Sequence, residues 1–215
     1  MKNLPVFVFA AGILIAGCTN SENRSRGLYM LLDPGGTYAV ELEKAQVIIG
    51  YLLGSLQPND TLAVASIETG RFSENDIIAM VNFEQRPSVV NNQKRVFQHK
   101  VNTFVSTAEN SEYTDISGGM LQAIEYLNRS GCPKKFILIF SDLDEELTQG
   151  PGPNIPFQLA GFQVVAFNVT KLRRDIRYAE KYLARVETWR TKIESGQGKW
   201  RVINDLESLE NIFSE

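Results

Sequence analysis

Two aspartates in this sequence each end an apolar run, and that shared setting is where chemistry could sit. Leu28-Tyr29-Met30-Leu31-Leu32 runs into Asp33, and Phe136-Ile137-Leu138-Ile139-Phe140 runs through Ser141 into Asp142. An uninterrupted apolar run bounded by turn residues suits a strand buried on both faces of a parallel sheet. Ligand crevices in open parallel sheets lie beyond the carboxyl ends of the strands, which puts Asp33, Thr37 and Asp142 on a functional rim. Neighbouring strands lie about 4.8 Å apart, so two carboxylates delivered side by side could share a cation through water.

Other reactive residue types carry less. His99 is the one histidine of the chain; it falls on the polar side of a helical pattern, with no partner spaced to orient it as a base. Cys132, between Gly131 and Pro133, reads as a structural thiol in a turn, since nothing nearby would stabilise a thiolate. Residues 145–156 hold three prolines and two glycines and predict an irregular loop on the same rim. Loops so placed carry specificity, which makes Asp144, Glu145 and Asn154 the expected partner-binding residues.

Periodicity supplies the frame that must position these groups. In residues 37–56 the stripe Tyr38, Leu42, Ala45, Ile49, Leu52 and Leu56, widened by Val40, Val47, Ile48 and Leu53, predicts a deeply covered helix. Residues 61–67 and 77–83 predict strands joined too closely for a crossover helix, hence antiparallel. Helical patterns follow over 90–108 and 116–128, then buried strands over 136–140 and 162–169. A long helix is lined by Leu172, Ile176, Ala179, Leu183, Val186 and Ile193, and its basic face, with Arg185, Arg190 and Lys192, reads as solvated. A short strand over 200–203 and a closing helix through Leu206, Leu209 and Phe213 end the chain. The order implies an α/β fold: a doubly wound, mostly parallel six-stranded sheet with one antiparallel edge strand and helices on both faces.

The first residues are of another material. One positive charge at Lys2 precedes an apolar run over 4–15, too short to span a bilayer but suited to a secretory signal. Leu14-Ile15-Ala16-Gly17-Cys18 resembles the bacterial lipobox, which implies a signal peptide over 1–17 and an acylated Cys18 as the new N-terminus. Polar residues 18–26 read as a tether and 27–215 as one domain. Expected from this is a protein of the bacterial cell envelope, exposed outside the cytoplasm and bound to membrane through its lipid anchor. With 22 Lys and Arg against 25 Asp and Glu, nothing draws the chain to nucleic acid.

Over about residues 27–214 the chain resembles the von Willebrand factor type A family. The metal-ion-dependent adhesion site of that family joins D-x-S-x-S after the first strand to a threonine from a later loop and an aspartate after the fourth strand. Asp33-Pro34-Gly35-Gly36-Thr37, Tyr113-Thr114-Asp115-Ile116 and Phe140-Ser141-Asp142-Leu143 are similar to these segments, so Asp33, Thr37, Thr114 and Asp142 match. Gly35 departs from the pattern, because it stands where the family has a hydroxyl ligand. The resemblance implies a Mg²⁺ or Mn²⁺ site that recognises a carboxylate of a protein partner, without turnover. Asp115, beside Thr114, reads as an N-cap for the helix it opens.

Two other readings compete. The domain could serve as a metal-independent structural component of an envelope complex. Asp142-Leu143-Asp144 also resembles the D-x-D motif of haloacid-dehalogenase-type phosphatases, but Glu145 and Glu146 stand where that family has glycine and threonine, and the strand over 162–169 ends in Asn168-Val169-Thr170 without an acidic pair.

Overall fold

The computed structural model describes residues 24–35, 41–67, 76–108, 113–147, 155–167, 179–203 and 206–213. Cys18, Thr37 and Asn154 lie outside the described residues, as do Tyr38, Val40, Leu172 and Ile176. The elements are β1 (Arg26–Leu32), α1 (Leu42–Ser55), β2 (Thr61–Ser66), β3 (Ile77–Asn82), α2 (Pro87–Thr107), α3 (Ile116–Arg129), β4 (Lys134–Phe140), β5 (Phe162–Phe167), α4 (Ala179–Ser195) and β6 (Lys199–Ile203), followed by a kinked 3₁₀ segment, Leu206–Phe213.

The strands form one six-stranded sheet in the order β3-β2-β1-β4-β5-β6. Every pairing is parallel except β2 with β3 at one edge. β1 and β4 are neighbours in register, Leu32 opposite Phe140, so the two apolar runs end side by side.

Each sheet face carries its own apolar layer. Leu28, Met30, Leu32, Leu138 and Phe140 pack with α1, α2 and the 3₁₀ segment on one side. Tyr29, Leu31, Ile137 and Ile139 pack with α3 and α4 on the other. This is the period-two alternation of strands buried on both faces. Among the described residues no helix is long and apolar enough to cross a membrane.

Several local expectations are corrected. Val47 and Leu183 are 55% and 63% exposed, although both read as part of apolar stripes. The buried line of α4 runs instead through the fully packed Trp189 and Ile193, with Tyr182 and Val186 partly buried against the same layer. Anchoring on that line turns Leu183 toward solvent, because one residue step is about 100° of helix rotation. The basic face of α4 is not wholly solvated either, since Arg185 and Lys192 reach the loop after β4.

At the other end of the sheet, β1 already includes Arg26, which the sequence places in the tether. Its backbone N–H and its guanidinium donate to the Asp60 carboxylate at 2.7 to 3.0 Å. Asp60 also accepts from the Gln57 backbone N–H, so a buried carboxylate ties the start of β1 to the turn before β2.

Candidate functional site

Asp33 is the first residue beyond β1, and its backbone N–H donates to the Phe140 carbonyl at 3.0 Å. That bond carries the β1–β4 ladder one step past the strands and sets the carboxylate on the rim. Asp33 is 3% exposed. The Gly35 backbone N–H donates to Oδ1 at 2.9 Å and the Ser141 hydroxyl to Oδ2 at 2.9 Å. The Thr114 hydroxyl also bonds to Asp33, and the Asp142 carboxylate acts on it electrostatically. Burial, reinforced by the Asp142 charge, pushes Asp33 up to about 6, against the lowering effect of these hydrogen bonds.

Asp142 enters from β4 one residue past Ser141 and is also buried. Its Oδ1 accepts the Asp144 backbone N–H at 2.9 Å. Ser141 Oγ in turn accepts the Leu143 N–H at 3.1 Å. These short turns force Leu143 to φ +66°, a left-handed conformation that a leucine adopts only where its surroundings hold it.

Thr114 arrives from a third direction. Its main chain makes a two-way bridge with Glu146, at 2.8 and 3.0 Å. The next residue, Asp115, donates its backbone N–H to the Ile67 carbonyl and accepts the Gly118 N–H at 2.7 Å, capping α3. A side chain at Gly118 would collide with that capping carboxylate, and one at Gly119 would lie 2.8 Å from Leu31 and 2.9 Å from Ile67. The glycine pair lets α3 open against the sheet with Thr114 at the rim. Asp33, Thr114 and Asp142 are thereby brought together, with Ser141 added.

The loop after β4 is clasped by α4. The Trp189 indole N–H donates to the Leu143 carbonyl at 3.1 Å, and Arg185 lies 3.9 Å from Asp144. Glu145 accepts the Ser117 backbone N–H at 2.6 Å and faces Lys192 at 3.6 Å. Asp144 and Glu145 thus bind within the molecule. In the D-x-D stretch, Asp144 is turned to α4 while Asp142 is turned to Asp33, so the two carboxylates serve different neighbours.

Sequence reasoning assigned no role to Ser141, although its position between a buried strand and Asp142 was the available signal. Nor did it find Trp189 or Arg185, whose reach to the rim is a tertiary fact. His99 is exposed on α2 and Cys132 is buried without a disulfide.

No family model matches the sequence, and no curated protein matches it. Solved structures do. A von Willebrand factor type A protein from Catenulispora acidiphila superposes with a TM-score of 0.58 at 11% identity, covering 88% of this chain and 41% of that one. The pilus adhesin SpaC from Lactobacillus rhamnosus GG, in an open conformation, gives 0.54 at 13% identity over 88% of this chain and 29% of its own. The conserved hypothetical protein BatB from Bacteroides thetaiotaomicron gives 0.52 at 14% identity, over 87% of this chain and 95% of its own. This chain therefore spans less than half the length of the Catenulispora and Lactobacillus chains. At these identities the likeness is one of architecture, and together with the strand order it shows that the chain folds as a von Willebrand factor type A-like domain.

Proposed function

We propose that this domain is a recognition module of the bacterial cell envelope, held to membrane by a lipid on Cys18, and that it binds a protein partner at the rim of β1 and β4. One observation carries the reading: two buried carboxylates 109 positions apart, Asp33 and Asp142, act on each other beside the hydroxyls of Thr114 and Ser141. Burying two like charges together is costly unless something positive compensates.

The donors fit a hard divalent ion. All are oxygens; among the described residues no three or more carboxylate, imidazole or thiol side chains cluster as a metal site, so hydroxyls and water would complete the shell. Asp33, Thr37, Thr114 and Asp142 would hold Mg²⁺ or Mn²⁺, with water at the position where Gly35 offers no hydroxyl. Once bound, the ion would supply the attraction for an incoming carboxylate. Asp144, Glu145 and Asn154 belong to the loop proposed to flank that group. Ser141 and the Gly35 N–H hold the Asp33 carboxylate in place, and α4 holds the loop that carries Asp142.

A second reading has its own support. Asp33 already accepts hydrogen bonds from Gly35, Ser141 and Thr114, which is how a carboxylate is satisfied without an ion, and a metal-independent structural role follows from that. Thermal unfolding of the purified domain separates the two. Millimolar Mg²⁺ or Mn²⁺ is expected to raise Tm in the wild type and to leave Asp142→Ala unmoved. An unshifted wild type removes the cation and leaves the structural role. The anchor is tested apart from the rim: Cys18→Ser is expected to abolish acylation and membrane retention of the precursor.

A further inference from the structure

The edge strand β3 reads Ile-Ile-Ala-Met-Val-Asn. It has no charge and no proline, two of the devices that keep an open edge from pairing with another chain. Among the described residues no strand lies beyond it. The direction of its main-chain groups follows from the pairing with β2. Phe83 donates to the Asp60 carbonyl and accepts from the Asn59 N–H, so alternation along an antiparallel pair turns the groups of Asn82 and Met80 outward.

One side chain already exploits that edge. The Gln93 amide of α2 donates to the Asn82 carbonyl at 3.1 Å and accepts the Glu84 N–H at 3.1 Å, which is the pattern a paired peptide group would make. Above it, the position at Met80 is left over. The register shift at Val64 and Ala65 leaves Ile78 without a cross-strand partner, so the usable ladder is short and side chains must carry much of any affinity.

Concavities for such side chains lie on both faces of β3. On the α3 face a cavity of about 420 Å³ is lined by Tyr29, Ile77, Met80, Gln122, Tyr126 and Arg129, among others. Tyr29 is 1% exposed, and among the described residues its hydroxyl has no hydrogen-bond partner. On the α2 face a smaller hollow of about 150 Å³ is lined by Met80, Val81, Val96, Phe97 and Lys100. Met80 and Val96 stand half exposed between them. An added strand places successive side chains on opposite faces, which is the arrangement two flanking hollows would accept.

Charge indicates which strand. The 21 residues of α2 include Lys94, Arg95 and Lys100 and no acidic residue, in a chain whose net charge is −3. A second copy of β3 would bring α2 against α2, like charge against like. We propose that β3 receives an extended segment of a protein partner by strand addition. The segment has a polar-tipped aromatic residue for the Tyr29 cavity, a small apolar neighbour for the Val96 hollow, and a carboxylate at the end nearest Lys100. This surface is separate from the Asp33 rim and works without its ion.

The test uses the full chain and a short synthetic peptide with valine and threonine alternating around one tyrosine, ended by glutamates. Hydrogen exchange should show peptide-dependent protection of segment Ile77–Asn82 that persists in chelator. Met80→Pro, which removes an outward N–H and spares the pairing with β2, should weaken binding by about tenfold. Lys100→Glu should weaken it by about fivefold and favour a lysine-ended peptide instead. Absence of protection, protection lost with chelator, or unchanged affinity in both variants overturns the proposal. So does a dimer of the peptide-free chain that Met80→Pro dissolves.

Discussion

Ser141 donates its hydroxyl to Asp33 at 2.9 Å across 108 positions of sequence. The same oxygen accepts the Leu143 N–H, so one small side chain fixes both the carboxylate of β1 and the turn of β4. The rim is a joint between two strands.

Removing that joint should cost stability in the metal-free chain. Ser141→Ala leaves a buried carboxylate short of a donor, and a hydrogen bond to a charged group contributes about 1.5 to 3 kcal/mol. A loss of that size is expected in urea unfolding. Ser141→Thr, which restores the hydroxyl at the expense of an added methyl, should recover part of it.

Asp33 sets a pH dependence. Its folded value of about 6 lies above the ordinary 3.8, so the folded chain holds the proton more tightly than the unfolded one. The stabilisation is complete below about pH 3.8 and is lost as pH rises through 6, a difference on the order of 3 kcal/mol. In chelator, the stability of wild type relative to Asp33→Asn should therefore increase between pH 7 and pH 4. Denaturant midpoints across that range check the sign. If the rim binds Mg²⁺, its affinity should fall over the same interval, because ion and proton compete for one carboxylate.

Trp189→Phe keeps a ring to stack on Phe157, whose centroid lies 6.5 Å away, but deletes the N–H that holds Leu143. A carbonyl left unpaired costs about 1 to 3 kcal/mol, read by urea unfolding. Because Leu143 follows Asp142 directly, the shift of Tm with Mg²⁺ should shrink as well, whereas the exposed pair Arg190 and Glu187 can be replaced without effect on either quantity.

Asp60→Ala should be the most damaging of these changes. It strands the Arg26 guanidinium, which is largely buried, and frees the turn at Gln57. Breaking a buried pair from one side costs about 3 to 5 kcal/mol. Calorimetry is expected to show the lowered Tm, and Mg²⁺ should still raise Tm in that variant, since Asp60 lies at the opposite end of β1 from the rim.

Much of the architecture was legible because it is local. Five consecutive apolar residues before Asp33 and five before Asp142 mark strands buried on both faces, and the short link between residues 67 and 77 marks an antiparallel pair. Asp115 read as an N-cap, and it caps α3. Leu183 and Val47 misled for the opposite reason: a stripe read by spacing has a width but no fixed phase, and the phase was set on α4 by Trp189 and Ile193 and on α1 by Ala45, Ile48, Ile49 and Leu52.

The sequence by itself determined that two carboxylates would end two buried strands, since chain order and hydrophobic run length are properties of the polymer. Only tertiary structure decided that β1 and β4 pair, that Ser141 and Thr114 turn to Asp33, and that α4 grips the loop behind Asp142. Those contacts join residues far apart in sequence, and no local preference encodes them. They exist because burying both sheet faces leaves few ways to satisfy the polar groups that remain at its edge.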